Sequence, residues 1–482
     1  MENPMTVFIG RKRELSLLNQ LVKKDSASLV AIKGRRRIGK SRLITEFGRQ
    51  GTLISLSGLP PLPGMTAQDQ RDEVSRQMAR QLGGPYLVFE DWGDLFWHLA
   101  QHTAKGRVVI LLDEISWMAS DDDTFLGKLK NAWDLYFKKN PSLILVLCSS
   151  ISSWIEKNIL SSTGFMGRIS LTITLQELTL PECNHFWGAQ KNKTSSYEKF
   201  KCLSLTGGIP SYLENIQPKL SAEHNIKMLG FIKEGMLYNE FDQIFTDLFG
   251  KRSDIYKKIL LTLITKPHAQ MQDVFDSLQI ERSGVYSEYL NDLIQAGFVE
   301  RNYSWHIKTE KKTQLSQYRI KDNYIRFYLK YILPNQEKII RDAFAERSLS
   351  TLPGWDSILG LQFENLVLAN RTAVQKLLHI RPEEIIYDNP YFQRKTIRKQ
   401  GCQIDYLVQT KFNCLYVCEI KFSRDPVGAE VVQEMKDKIN ALDVPANFSY
   451  RPVLIHVNGV HDSVIASEYF AEIIDLGSLF DS

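Results

Sequence analysis

Gly34-Arg-Arg-Arg-Ile-Gly-Lys-Ser41 matches the phosphate-binding P-loop pattern. Its surroundings fit. The apolar run Ser28-Leu-Val-Ala-Ile32 before it reads as a buried strand, and a helical stretch begins near Lys40. In a strand–loop–helix of this kind the loop amides converge on phosphate oxygens, and the helix presents its positive end to them. Gly34, Arg35, Arg36, Arg37, Ile38 and Gly39 are therefore expected to wrap a triphosphate. Lys40 would reach the β and γ phosphates, Ser41 would hold Mg²⁺, and Arg42 follows in the first helical turn. Because backbone amides do the cradling, the three arginine side chains are expected to face solvent.

Two further apolar runs support this reading. Arg107-Val-Val-Ile-Leu-Leu-Asp-Glu114 is an unbroken hydrophobic strand ending in two carboxylates, as in a parallel sheet buried on both faces. Asp113 is the expected Mg²⁺ partner and Glu114 the expected base that orients the attacking water. Ser142-Leu-Ile-Leu-Val-Leu147 is a third strand, and Ser149 or Ser150 beyond its tip is a candidate γ-phosphate sensor.

At 482 residues the chain has room for roughly three domains. Its net charge of +5 is too small to argue for nucleic acid unaided. No run approaches the ~20 apolar residues of a membrane span, and the N-terminus lacks the apolar core of a signal peptide. The six cysteines form no CxxC pair, and Cys148 and Cys418 lie in apolar runs, which points to buried free thiols. A reduced, cytoplasmic, membrane-free protein is expected.

Residues 178–249 read as helical, with Trp187, Phe200 and Tyr212 as core aromatics. Residues 250–335 fit three short helices and a hairpin, the layout of a winged helix-turn-helix. Ser283 would cap the third helix and Gly297 would end it. His306-Ile-Lys-Thr-Glu-Lys-Lys312 would be a basic wing tip. The recognition helix offers Arg282 and little else, so a packing role is favoured over DNA contact.

Cys402-Gln-Ile-Asp405-Tyr-Leu-Val408 and Leu415-Tyr-Val-Cys-Glu419-Ile-Lys421-Phe422 read as a strand pair turning at residues 411–413. The strand period puts Glu419 and Lys421 on one face, which Asp405 can share from its neighbour. Two carboxylates and a lysine suit Mg²⁺ and an activated water. Glu-x-Lys alone says nothing, since Glu310-Lys-Lys312 and Glu434-Met-Lys436 repeat it. Glu364, on a preceding helix, supplies another carboxylate. Gln433 is an auxiliary candidate, and Arg394, Lys395, Arg398 and Lys399 offer a basic grip for a phosphate backbone.

Phe8-Ile-Gly10-Arg11-Lys-Arg-Glu14-Leu15, the P-loop and Leu112-Asp-Glu-Ile-Ser-Trp-Met118 together resemble the archaeal-type ATPase family, a branch of the AAA+/STAND ATPases. Gly167-Arg168 and Thr206-Gly-Gly-Ile-Pro210-Ser-Tyr-Leu213 are similar to its downstream landmarks. The resemblance implies adenine packing by the Phe8–Glu14 segment, a role for Arg168 as arginine finger or sensor, and a link from the helical lid to nucleotide through Pro210. Residues 345–482 resemble the PD-(D/E)XK nuclease fold, which implies a site made of Glu364, Asp405, Glu419 and Lys421; Ile404 stands where that pattern has proline. The expected fold class is α/β: a P-loop parallel sheet (1–177), a helical lid (178–249), a winged helix (250–335) and a nuclease-like domain (345–482). The expected activity is ATP hydrolysis regulating a Mg²⁺-dependent DNA nuclease. The alternative is a non-cleaving ATP-driven switch that binds DNA or protein. Homo-oligomerisation stays open, because Arg168 could serve its own subunit or a neighbour.

Overall fold

β3 (Val108–Asp113) is apolar along its length because it lies inside a sheet covered on both sides. β1 (Ser28–Gly34), β2 (Thr52–Ser57), β4 (Leu143–Ser149) and β5 (Ile169–Leu175) complete a five-stranded parallel sheet in the order β2-β3-β4-β1-β5. The computed structural model describes residues 7–481 apart from 63, 280–283 and 396–399. The chain divides into two units, Met1–Leu178 and Thr179–Ser482. Alternate residues of β3, Val108, Ile110 and Leu112, join the core against Trp92, Phe96, Phe125 and Trp133. All strands run the same way, so their carboxyl ends, and with them the P-loop, Asp113 and Ser149, gather at one edge.

The sequence divides the second unit into lid, winged helix and C-terminal domain; the structure joins them around a shared core. Asn323 Nδ2 donates to the Leu203 carbonyl (3.2 Å) and the Gln362 carbonyl (3.3 Å), while Gln362 Nε2 donates to the Ser204 carbonyl at 2.8 Å. Rings from separate segments pair: Phe200 lies 4.9 Å from Phe480, and Phe241 stacks on Tyr328 at 4.4 Å. Trp187, Phe200 and Tyr212 are buried.

Helices Ser253–Thr265, Met271–Leu278 and Gly284–Gln295 precede the antiparallel hairpin of β6 (Val299–His306) and β7 (Lys311–Ile320). Gly297 (φ +82°) follows the third helix; Ser283, Arg282, Arg398 and Lys399 fall outside the described residues. The basic segment His306–Lys312 is where this hairpin turns, with His306 paired to Lys311, and it is fastened down. Trp305 Nε1 donates to Gln409 Oε1 at 2.6 Å, Gln409 Nε2 donates to the Ile307 carbonyl at 2.9 Å, and Tyr387 Oη donates to the Glu310 carbonyl at 2.8 Å.

The C-terminal sheet has the order β12-β11-β10-β9-β8, with β8 (Ile385–Gln393), β9 (Cys402–Thr410), β10 (Cys414–Lys421), β11 (Ser449–His456) and β12 (Glu472–Asp475). β8, β9 and β10 pair antiparallel, whereas β11 and β12 add in parallel. Helix Glu430–Ala441 packs on the sheet through Met435 and Ile439. All six cysteines are buried free thiols. Among the described residues no helix is long and apolar enough to cross a bilayer.

Gln409 is fully buried and satisfies both a ring donor and a carbonyl of the hairpin. Gln409→Leu should therefore cost about 1–3 kcal/mol by stranding the two partners, read as a lower urea midpoint for unfolding; an unchanged midpoint would show that the docking is energetically idle.

Candidate functional sites

At the carboxyl edge of the first sheet, β1 must turn tightly past β5. A Cβ on Gly34 would stand 2.7 Å from the Leu175 carbonyl oxygen, so only glycine lets the loop leave the strand there. Gly39 (φ +91°) opens the Lys40–Gly48 helix without a side-chain cap, and the first turn carries no acidic residue. That helix start is suited to an anion. Lys40 is buried, and its Nζ donates to the Gly34 (3.0 Å) and Arg35 (3.2 Å) carbonyls of its own loop. Ser41 Oγ donates to Asp113 Oδ2 at 2.5 Å, so the two predicted metal-site residues meet.

Glu114 adopts a left-handed backbone (φ +48°), which turns its carboxylate toward β4. Its Oε2 accepts from the Ser150 amide (3.0 Å) and hydroxyl (2.9 Å). The side chain that touches this carboxylate is therefore Ser150. Ser149, the other sensor candidate, is fully buried, and its Oγ is shared with Ser116 Oγ (2.8 Å) and the Ile151 amide (3.1 Å). Odd and even positions of a strand face opposite ways, and the sequence could not tell which serine faced the crevice.

The Val7–Glu14 segment is strapped beside the loop. Arg11, itself left-handed (φ +60°) and buried, donates from Nη2 to the Ile38 carbonyl at 3.0 Å, and Arg42 Nη2 donates to the Val7 carbonyl at 3.3 Å. Phe8 is half-buried and Gly10 adopts φ +75° in this segment. The solvent-facing expectation for the loop arginines needs correction: Arg35 is buried and donates to the Arg36 carbonyl at 2.9 Å, while Arg36 and Arg37 are half-buried.

Arg168 lies at the opposite edge. It precedes β5, whose Ile169 pairs with Leu29 at the start of β1 while Leu175 pairs with Gly34 at its end. A strand's length of roughly 20 Å therefore separates it from the P-loop. Its guanidinium grips Asp134, with Nε 3.1 Å and Nη2 2.8 Å from the two carboxylate oxygens, and holds that carboxyl far below the ordinary range, helped by Lys130 and Lys138. This placement rules out a sensor role within its own subunit. Pro210 opens the helix Pro210–Leu213 in the second unit, after Gly207 (φ +53°).

In the C-terminal sheet β9 and β10 bring three predicted residues together. The Ile420 amide donates to Asp405 Oδ2 at 3.0 Å, which sets Asp405 beside Glu419. Lys421 Nζ lies 3.2 Å from Glu419 Oε1 and 2.6 Å from Glu434 Oε2. Burial first, then the charge of Glu419, push the Asp405 carboxyl up to about 7. Glu364, on helix Trp355–Ala369, adds to that push and lies 3.8 Å from Arg319 Nη1.

Two residues of this site were not foreseen. Lys438 Nζ bonds Glu419 Oε2 and lies 3.6 Å from Asp405 Oδ1. Glu434 holds Lys421. They share a face of helix Glu430–Ala441, four residues apart. That spacing is the sequence signal that could have found them. Gln433 points elsewhere, donating to Asp437 at 2.8 Å. Arg394 is exposed and bonds Gln270, so it is partly occupied within the unit; Lys395 is exposed.

No known family profile matches the sequence. An uncharacterized protein of Methanocaldococcus jannaschii is 25% identical over 364 residues, covering 75% of this chain and 76% of that one. Among solved structures, a Walker-type ATPase of Pyrococcus abyssi is similar at a TM-score of 0.49 and 15% identity, over 67% of this chain and 96% of its own. The ORC2 protein of Aeropyrum pernix is similar at a TM-score of 0.40 and 15% identity, over 71% and 98% respectively.

Folded Asp405 keeps its proton up to about pH 7, whereas the unfolded residue loses it near pH ~4. Folding takes up a proton in between, so metal-free stability should fall as pH rises across that window. Asp405→Asn should flatten the slope in denaturation curves collected from pH 4 to 8; an unchanged slope would refute the assignment.

Proposed function

We propose that this protein binds and hydrolyses ATP in its first unit and uses that cycle to regulate a Mg²⁺-dependent DNA nuclease site in its second. The observation that carries the ATPase reading is the Ser41–Asp113 contact beside a buried Lys40 whose ammonium is spent on its own loop carbonyls. A γ phosphate is a stronger acceptor than those carbonyls, so Lys40 would transfer to it. Ser41 and Asp113 would hold Mg²⁺, and Glu114, steadied by Ser150, would orient water and take its proton. A homo-oligomer in which Arg168 serves a neighbouring subunit's nucleotide would give that residue a role its own P-loop does not.

The nuclease reading is supported by the Asp405–Glu419 pair, Glu419 buried and Asp405 half-buried, whose mutual repulsion is the chemistry of a cation site. Among the described residues no three His, Cys, Asp or Glu side chains gather for a metal, so the protein's share would be this pair, with water completing the shell. A bound Mg²⁺ would supply a nucleophilic hydroxide and offset charge on the phosphate. Lys421, anchored by Glu419 and Glu434, would face the phosphate oxygens, and Glu364 would support Asp405. The three helices and β6–β7 hairpin read as a winged helix. Its docked wing supports a packing role, with Lys308, Lys311 and Lys312 left exposed for DNA. That docking also favours the second reading, a switch that contacts DNA or protein without cutting.

Asp405→Ala should abolish Mg²⁺-dependent cleavage of DNA while ATP turnover persists. Cleavage by the variant would remove the nuclease site, and no cleavage by either protein would favour the switch. Lys40→Ala should weaken nucleotide binding, and Glu114→Gln should bind ATP yet hydrolyse it about 10²-fold or more slowly; unchanged turnover in both would refute the ATPase assignment.

A further inference from the structure

We propose that Lys438 is the resident cation of the Asp405–Glu419 pair, holding the two carboxylates together until a divalent metal ion displaces it. The inference rests on the metal-binding reading of this site.

Glu419 is nearly inaccessible, its side chain 4% exposed, and both of its oxygens are committed: Oε1 to Lys421 and Oε2 to Lys438. The two lysines are not equivalent. Lys421 has a second anchor in Glu434 outside the pair, at 2.6 Å. Among the described residues Lys438 Nζ has Asp405 Oδ1 and Glu419 Oε2 as its carboxylate partners. An ion bridging Asp405 and Glu419 would take those same two oxygens. An ammonium and a divalent ion cannot share them, because both are cations and the site is secluded.

The residue is built to leave. Helix Glu430–Ala441 fixes its backbone, and Cys402 Sγ donates to the Lys438 carbonyl at 3.3 Å. Its four-carbon stem, by contrast, can swing, and its side chain is 28% exposed. Burial disfavours its charge, but Asp405 and Glu419 outweigh that and keep its pKa above the ordinary lysine value. When Asp405 is ionised in the metal-free protein, Lys438 keeps the charge pair compensated. Once displaced it becomes a free cation at the mouth of the site, a positioning residue for a phosphate.

The test titrates the full chain, stripped of metal and free of nucleotide, with Mn²⁺ in a calorimeter, and records thermal melting in parallel. Asp405→Asn defines the heat belonging to this site. Lys438→Met should bind Mn²⁺ about tenfold or more tightly than wild type. Its metal-free form should melt lower, with Mn²⁺ restoring the loss, while Lys438→Arg should stay near wild type in both. Should Lys438→Met fail to fold, Lys438→Gln carries the same comparison. Equal Mn²⁺ affinity in wild type and variant would overturn displacement and leave the metal site standing. Binding by neither would overturn both.

Discussion

Two carboxylates packed side by side need positive charge brought to them, or one of them keeps its proton. Asp405 and Glu419 set that condition for the elements around them. The antiparallel β9–β10 pairing sets them together, and a main-chain amide already claims one Asp405 oxygen. Charge then arrives from two directions, from Lys421 on the same strand and Lys438 on the covering helix. Glu364, behind them, is answered by Arg319, which also holds Glu300 at 2.6 Å. The helix that covers the sheet is seated by Met435 and Ile439 and carries Lys438 to the carboxylates.

The first unit meets a different constraint with different means. Its anion site is made of backbone, so what matters is that nothing intrudes: no Cβ at Gly34 and no acid or side-chain cap in the first turn of the following helix. Side chains do the bracing instead. Arg11 and Arg42 tie the preceding segment to the loop and its helix. Lys40 meanwhile fills the loop it is expected to leave on binding. In each unit a lysine is held by acceptors of its own surroundings, loop carbonyls for Lys40 and carboxylates for Lys438.

Much of this was legible because strands buried on both faces leave unbroken apolar runs, and because Gly-x-x-x-x-Gly-Lys-Ser is specific at its position. β1, β3, β4, β9 and β10 follow their sequence signals within a residue or two. What the sequence left open or missed shares a cause, the direction of a side chain relative to partners distant in sequence. Ser150 rather than Ser149 reaches Glu114 because of how β4 ends. Lys438 rather than Gln433 reaches the carboxylates because of helix phase. Arg35 is buried despite its charge. The placement of Arg168 at the far edge follows from β5 lying parallel to β1, a pairing no local pattern announces. The joining of lid, winged helix and C-terminal sheet through Asn323 and Gln362 is equally long-range.

The hairpin fastened by Trp305 and Gln409 works as a caliper. Because β6 is bolted to the same sheet that carries Asp405 and Glu419, its exposed lysines at 308, 311 and 312 keep a set span from those acids.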